Sequence, residues 1–266
     1  MRDDDPFDMP RWPVASIPEA AAEELRRWVG VSDADQASWR DDYEALRAWR
    51  DAFDQCGILV FALEIGRDDV RGFSAWDDRA PLIVANTSGV SPAARSYTLA
   101  HELGHLVTRQ DAACVEQRGF LTGAAVERWC ERFGAAFLMP SQPMERLASA
   151  RNITAGAGDI DDVKAVAKAF RVSHRAAALR LIDMGLAERS LYADVLAIFR
   201  PKPPAKPSNS FRRPARATAR VREFGPRALD IVLNELPPRD ALSVLRVTVE
   251  DVRRISEEVP SVQTSF

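Results

Sequence analysis

The chain has 266 residues, of which 46% are hydrophobic and 28% are charged, and its formal net charge at pH 7 is −3. This length suffices for one large domain or two small ones, and the near-balanced charge excludes a general attraction to nucleic acid or to anionic membranes. The three cysteines are too few and too irregularly spaced for a disulfide framework, and they indicate free thiols in a reducing compartment. The N-terminus lacks the pattern of a secretory signal, and the apolar runs are too short to span a bilayer. We therefore expect a cytoplasmic protein.

The first part of the chain, residues 1–56, is predicted to be a helical segment that packs on the core that follows. The stretch 18–29 (PEAAAEELRRWV) has a helical pattern that ends at Gly30. Large apolar side chains then recur at steps of three and four, which predicts a second helix with one apolar face: Trp39, Tyr43, Leu46, Trp49 and Phe53.

Three short β-rich runs follow Gly57, at residues 58–63, 70–76 and 82–85. Because they lie close together in sequence, we predict a small, mostly antiparallel sheet. The run 82–85 is expected either as an ordinary core strand or as the rim of a cleft that pairs with an extended substrate.

Helices dominate the rest of the sequence. Ser91 and Pro92 are a capping hydroxyl and a first-turn proline, so a helix is predicted from there to about Thr108. Residues 109–124 are predicted to form a polar loop, and 125–138 a second helix. We predict a helix-turn-helix-like pair at 160–186 as the end of a domain spanning 57–200. A Pro-rich basic linker (201–220) and a small C-terminal helical module (221–266) complete the chain.

The stretch 98-TLAHELGHLVT-108 concentrates two of the three histidines of the chain within five residues. On a helix, His101 and His105 lie one turn apart on the same face, so both imidazoles can bind one zinc ion. Glu102 is rotated away from that face, which suits a general base beside the metal rather than a ligand. This is the HExxH arrangement, and we predict a zinc site, with Mn²⁺ as an alternative ion.

A catalytic zinc takes a third protein ligand and keeps one position open. Glu127, on the next predicted helix, is the best candidate for that ligand. Glu131 lies one turn further along the same face and is predicted to orient a ligand histidine by a hydrogen bond. The alternatives are a solvated charge for Glu127 and an ion pair with a neighbouring arginine for Glu131.

The segments 72-GFSAWDDRAPLIVANT-87, 96-SYTLAHELGHLV-107 and 127-ERWCERFGAAFLMP-140 closely resemble the ImmA/IrrE family of metallopeptidases. The resemblance extends over about residues 40–195. Cys130 and Gly134 stand where the family often has Ala; neither change is expected to touch the metal, although a thiolate ligand at Cys130 remains an alternative.

The resemblance implies a zincin-like α+β fold, in which the sheet packs with an HExxH helix and a glutamate-ligand helix. It implies a cytoplasmic zinc endopeptidase with His101, His105 and Glu127 as ligands and Glu102 as general base. Family members typically cleave XRE-type helix-turn-helix repressors, relieving transcriptional repression in stress, prophage or mobile-element responses. Tyr97 and His174 are candidates for contacting the oxyanion or the substrate, and no organic cofactor is expected.

Two other functions remain open from the sequence. The pair at 160–186, together with the basic linker, is compatible with a DNA-binding regulator. Its second helix, however, carries few side chains that read bases, so we expect no direct nucleic-acid binding. The chain is also compatible with a scaffold that sequesters a partner protein, although binding alone would not need Glu102.

Overall fold

The computed structural model describes residues 7–66, 70–109, 121–199, 215–260 and 262. The described chain is an α+β structure, mostly helical, with one small sheet. The strands are β1 (Leu59–Leu63), β2 (Gly72–Ala75) and β3 (Leu82–Asn86). The helices are α1 (Pro18–Val29), α2 (Asp33–Ser38), α3 (Asp42–Gln55), α4 (Pro92–Thr108), α5 (Leu121–Leu138), α6 (Ser141–Arg151), α7 (Ile160–Phe170), α8 (His174–Asp183), α9 (Ser190–Ile198), α10 (Arg216–Phe224), α11 (Pro226–Glu235), α12 (Pro238–Leu245) and α13 (Val249–Glu258).

The sheet has the order β1-β3-β2, with β1 parallel and β2 antiparallel to β3. The prediction of a mostly antiparallel sheet was therefore wrong for one of these two pairings. Four of the five residues of β3 are buried, more than in either neighbour, so this strand takes the centre. Because both edges of β3 are paired, it cannot accept an extended substrate, and that part of the sequence expectation was also wrong.

The N-terminal aromatic residues divide between two elements rather than sharing one helical face. The Asp41 side chain caps α3 by accepting bonds from the amides of Tyr43 and Glu44, so Trp39 precedes this helix and ends α2. Trp39 still packs edge-on against Trp49, with ring centroids 5.1 Å apart. Tyr43 is 67% exposed, contrary to its predicted place in the core.

Helix α4 begins where predicted. The Ser91 hydroxyl accepts a hydrogen bond from the Ala94 amide, and Pro92 occupies the first turn. The helix packs against the sheet on one side and against α3 and α5 on others, which buries its middle. Helix α5 begins at Leu121, before the predicted start at 125, while 110–120 of the predicted loop lie outside the described residues.

The helical pair predicted at 160–186 is present as α7 and α8. The alanines Ala176, Ala177 and Ala178 of α8 are buried in the main core, so this helix is an internal element. Arg180 is only 2% exposed and donates a hydrogen bond to the Met139 carbonyl, so it is not available to a nucleic acid. These contacts disfavour the DNA-binding alternative.

The last four helices form a second hydrophobic cluster of their own, centred on Leu229, Leu245 and Ile255. The predicted linker was too long at its C-terminal end, because α10 starts at Arg216 and its Ala217 is buried in that cluster. Residues 200–214 of the linker lie outside the described residues. Among the described helices, none has the length and apolarity to cross a membrane.

Candidate metal centre

The predicted ligand residues converge at the contact between α4 and α5. His101 and His105 lie one turn apart on α4, with their Nε2 atoms 3.2 Å apart. Glu127 of α5 reaches both rings, with Oε2 3.3 Å from His101 Nε2 and Oε1 3.4 Å from His105 Nε2. One donor atom from each of the three residues therefore lies near a common point.

These separations fit a tetrahedral zinc ion. Zn–N and Zn–O bonds are about 2.0–2.2 Å long, and the edge of a tetrahedron is about 1.63 times its centre-to-corner distance, so donors lie about 3.3–3.6 Å apart. The observed 3.2, 3.3 and 3.4 Å agree with that edge length. Two imidazoles and a carboxylate are also a donor set that zinc prefers in catalytic sites.

Access to the centre is one-sided. The His105 side chain is fully buried, the His101 side chain is 15% exposed, and the Glu127 side chain is 44% exposed. The histidines form the inner wall, while the glutamate lies at the rim. The centre is therefore open to solvent on the Glu127 side and closed on the His105 side.

The groups of this site shift the pKa values of Glu127 and His101. Hydrogen bonds with His101 and His105 hold the pKa of the Glu127 carboxyl well below its usual value, against the opposing effect of burial. Burial alone would lower the pKa of His101, but the bond with Glu127 and the charges of Glu102 and Glu131 raise it overall. The hydrogen bonds between Glu127 and the two histidines use lone pairs of nitrogen and oxygen. A metal ion would bind these same lone pairs after displacing the shared protons.

Glu102 lies beside the ligands and is 1% exposed. One of its oxygens, Oε2, accepts a hydrogen bond of 2.9 Å from the Ser74 hydroxyl of β2. A buried carboxylate needs such donors, since an unpaired charge in the interior is costly. The sheet thus supplies a contact to the predicted general base.

The remaining predicted site residues are Glu131, Tyr97 and His174, and each makes a contact with a residue outside the three-residue donor set. Glu131 is exposed on α5, and its backbone carbonyl accepts a hydrogen bond from the Tyr97 hydroxyl, which ties α4 to α5. The Tyr97 proton is therefore used in a structural contact. His174 stacks on Phe199 with centroids 3.8 Å apart, and the charges acting on it are those of Asp42 and Lys164.

The Cys130 thiol lies inside the contact between α4 and α5. Burial, followed by the nearby carboxylates, raises its pKa well above the usual value, which disfavours a thiolate ligand. A methyl group added at Gly134 would lie 3.2 Å from the backbone nitrogen of His101. This position therefore packs on the backbone of a ligand residue, closer to the metal centre than the sequence led us to expect.

Two buried polar residues of the sheet, Ser74 and Asn86, were given no role from the sequence. The only signal for Ser74 is its place two residues after Gly72, which puts two small side chains on one face of a strand. Asn86 is 1% exposed; its side-chain amide donates to the Val70 carbonyl and its oxygen accepts from the Ile65 amide. Asn86 thus holds together the chain segments at the end of the sheet.

A protein-family model described as Peptidase_M78, IrrE N-terminal-like domain, matches residues 53–181. The match extends from the end of α3 into α8 and includes the sheet and both ligand helices. No curated protein matches the chain. Among solved structures, a Mycobacterium tuberculosis transcriptional regulator is similar, with 18% sequence identity and a TM-score of 0.41. The similar region covers 62% of this chain and 46% of the regulator, so the chain spans less than half of that protein.

Proposed function

Because residues 53–181 make this chain a member of the Peptidase_M78 family, with its IrrE N-terminal-like domain, we propose that it is a zinc-dependent endopeptidase. The family indicates a metallopeptidase, and the site brings together three groups that could hold a metal ion with the carboxylate of Glu102 beside them. The main support is the set of donor separations of 3.2–3.4 Å among His101, His105 and Glu127.

His101, His105 and Glu127 would hold the ion through two nitrogens and one oxygen. A bound zinc ion supplies Lewis acidity to the scissile carbonyl and lowers the pKa of water. Glu102 accepts a proton from the attacking water while the water oxygen bonds to the carbonyl carbon. Glu102 then returns that proton to the amine nitrogen as the C–N bond breaks, so the carboxylate is regenerated.

The substrate that we propose is a helix-turn-helix repressor of the XRE type, whose cleavage relieves transcriptional repression. The ImmA/IrrE resemblance supports this substrate class. The position of β2 supports a polypeptide substrate: this outer strand lies next to α4 and contacts Glu102 through Ser74. An extended chain that paired with β2 would run past the general base.

The test uses the full chain loaded with zinc and the helix-turn-helix repressors encoded beside its gene. After co-incubation, gels and mass spectrometry should show defined fragments of one repressor. A proteome-derived peptide library, read by mass spectrometry of new termini, would reveal cleavage preferences in parallel.

The matched control is Glu102→Gln, which keeps the ligands but removes the base. This variant should bind zinc and cleave neither repressor nor peptides. Cleavage that persisted in the variant, or a wild type that cut neither repressor nor library, would contradict the proposal. Relief of repression by Glu102→Gln would instead favour a partner-sequestering scaffold.

A further inference from the structure

Four residues at the contact between strand β2 and helix α4 bear on the position of Glu102. Gly72 and Ser74 are two residues apart on β2 and share one face, while Thr98 and Glu102 are four apart on α4. A methyl group added at Gly72 would lie 2.6 Å from Thr98 Cγ2 and 3.5 Å from Glu102 Oε1. Only glycine fits there, and this close approach brings Ser74 within reach of the carboxylate.

The hydroxyl of Ser74 is well placed to orient Glu102. Its Oγ donates to Glu102 Oε2 at 2.9 Å, and the two residues are 5% and 1% exposed. The Ser74 backbone is fixed, because Ser74 pairs with Ile83 in the middle of the β2–β3 ladder. The hydrogen bond therefore connects the Glu102 carboxylate to a rigid sheet, away from competing solvent.

We propose that Ser74 is a positioning residue for the general base. It binds Oε2 and thereby fixes the rotation of the carboxylate, so that Oε1 carries the proton between the attacking water and the leaving amine. The inference rests on the proposed endopeptidase function and adds a role for β2. The strand that lies beside the substrate path also sets the orientation of the base.

A positioning role for Ser74 predicts a change in kcat that a packing role alone does not. A misdirected base leaves substrate binding intact and slows the chemical step, so kcat falls while KM stays the same. A hydroxyl that only filled space would leave kcat unchanged when replaced by a group of equal volume. Substitutions at Ser74 that vary volume and hydrogen bonding independently therefore separate the two roles.

Three variants make the comparison in the full zinc-loaded chain. Ser74→Ala removes the hydroxyl, Ser74→Cys replaces it with a somewhat larger group that is a much weaker donor, and Ser74→Thr keeps the hydroxyl. Thr98→Val is the control at the same β2–α4 contact. It removes a buried hydroxyl that bonds the Ala94 carbonyl of its own helix and not Glu102.

With a library peptide that the wild type cleaves, kcat should fall about 10-fold or more in Ser74→Ala and Ser74→Cys, in line with the cost of misplaced catalytic groups. The KM and the zinc content should be those of the wild type, while the Tm should fall by a few degrees in Ser74→Ala, because a buried carboxylate loses a donor. Ser74→Thr should retain most of the wild-type kcat, and Thr98→Val should match the wild type. Unchanged kcat in Ser74→Cys, or a loss of zinc parallel to the loss of activity, would overturn the inference.

A crystal structure of Ser74→Ala gives a readout that needs no activity. The Glu102 carboxylate should rotate or occupy two orientations, while His101, His105 and Glu127 stay in place. A carboxylate that kept its wild-type orientation would contradict positioning by Ser74. If no peptide is cleaved by the wild type, the endopeptidase proposal fails, and this structure still decides whether Ser74 orients Glu102.

Discussion

At the scale of single residues, the metal centre depends on which of two glutamates faces α4. Glu127 and Glu131 lie one turn apart on α5, yet only Glu127 has its carboxylate oxygens within 3.4 Å of the two histidine nitrogens. Glu131 acts on His101 through its charge and on Tyr97 through its backbone carbonyl. The two residues therefore make a matched pair for testing ligation.

Glu127→Ala should weaken zinc binding at least 100-fold, since one of three protein ligands is lost. Glu131→Ala should change zinc affinity much less, because its carboxylate contributes only a partly screened charge. Competition with a fluorescent zinc chelator at constant pH measures both affinities. Equal losses in the two variants would show that Glu127 is not a ligand, or that Glu131 orients the site more strongly than its exposure suggests.

At the scale of secondary-structure elements, α4 and α5 approach closely because each carries a glycine at the contact. A methyl group at Gly104 would lie 3.1 Å from the Phe133 ring, and one at Gly134 would lie 3.2 Å from the His101 backbone nitrogen. The cost of glycine within a helix, about 1 kcal/mol relative to Ala, is thus offset by the close packing that places Glu127 against the histidines.

The substitution Gly134→Leu should destabilise the protein by about 1–3 kcal/mol or more, because overpacking forces the helices apart. It should also weaken zinc binding, since the His101 backbone must move. Gly123→Leu is the control on the same helix: a Cβ added there has no heavy atom within 4 Å among the described residues, so helix propensity should stabilise the protein by up to about 1 kcal/mol. Chemical denaturation and zinc titration measure both effects; similar stability in the two variants would contradict the close-contact account.

The C-terminal end of α5 is held by buried polar side chains from elsewhere in the chain. Arg26 donates to the Phe137 carbonyl at 2.8 Å, Gln36 to the Leu138 carbonyl at 2.9 Å, and Arg180 to the Met139 carbonyl at 3.0 Å. These carbonyls lie at the end of the helix, where no further turn supplies donors, so the three side chains satisfy them. The two arginines also place positive charge at the negative end of the helix dipole. Burial lowers the pKa of Arg26 to about 10, which still leaves it charged at neutral pH.

Arg26→Met should destabilise the protein by about 1–3 kcal/mol, because it leaves the Phe137 carbonyl buried without this donor. The neighbouring Arg27 is exposed, so Arg27→Met should change stability by less than about 0.5 kcal/mol. Urea denaturation of the two variants tests the difference. A loss as large at Arg27 as at Arg26 would exclude the capping contact as the cause.

At the scale of the whole molecule, the C-terminal module docks on the β1 side of the sheet, opposite β2. Phe224 of α10 meets Phe61 of β1 edge-on, with centroids 5.6 Å apart. Arg50 of α3 donates to the Arg222 carbonyl at 2.8 Å and to the Val60 carbonyl at 3.2 Å. The module thus covers an outer strand that would otherwise offer backbone groups for unwanted pairing.

Phe224→Ala should loosen this docking while leaving the metal centre intact, since Phe224 lies on the β1 side of the sheet. Losing the aromatic contact, worth about 1 kcal/mol beyond the buried area, should accelerate amide exchange in β1 by about 5-fold or more, because 1.4 kcal/mol corresponds to a factor of about 10. Hydrogen exchange read by mass spectrometry tests this, with the exposed Val244 changed to Ala as control. Unchanged exchange in β1 would show that the module does not protect this edge.

The sequence by itself determined the features that depend on local chemistry. Capping residues and periodicity fixed the start of α4 at Ser91 and Pro92, and the spacing of His101 and His105 fixed that two imidazoles share a helical face. The sequence also pointed to Glu127 through its place on the next helix, and the structure brings its carboxylate to the two histidines. These inferences hold because helix geometry couples residues that are three or four apart, whatever the rest of the chain does.

Only the tertiary structure decided which distant groups meet. The strand order, the exposure of Tyr43, the burial of α8 and the hydrogen bond between Ser74 and Glu102 all depend on contacts between segments far apart in sequence. No local pattern encodes these contacts, because burial of apolar surface is non-directional and many pairings satisfy the same periodicity. The side-by-side packing of β2 and α4 selects one of them, and that packing gives the predicted base its partner.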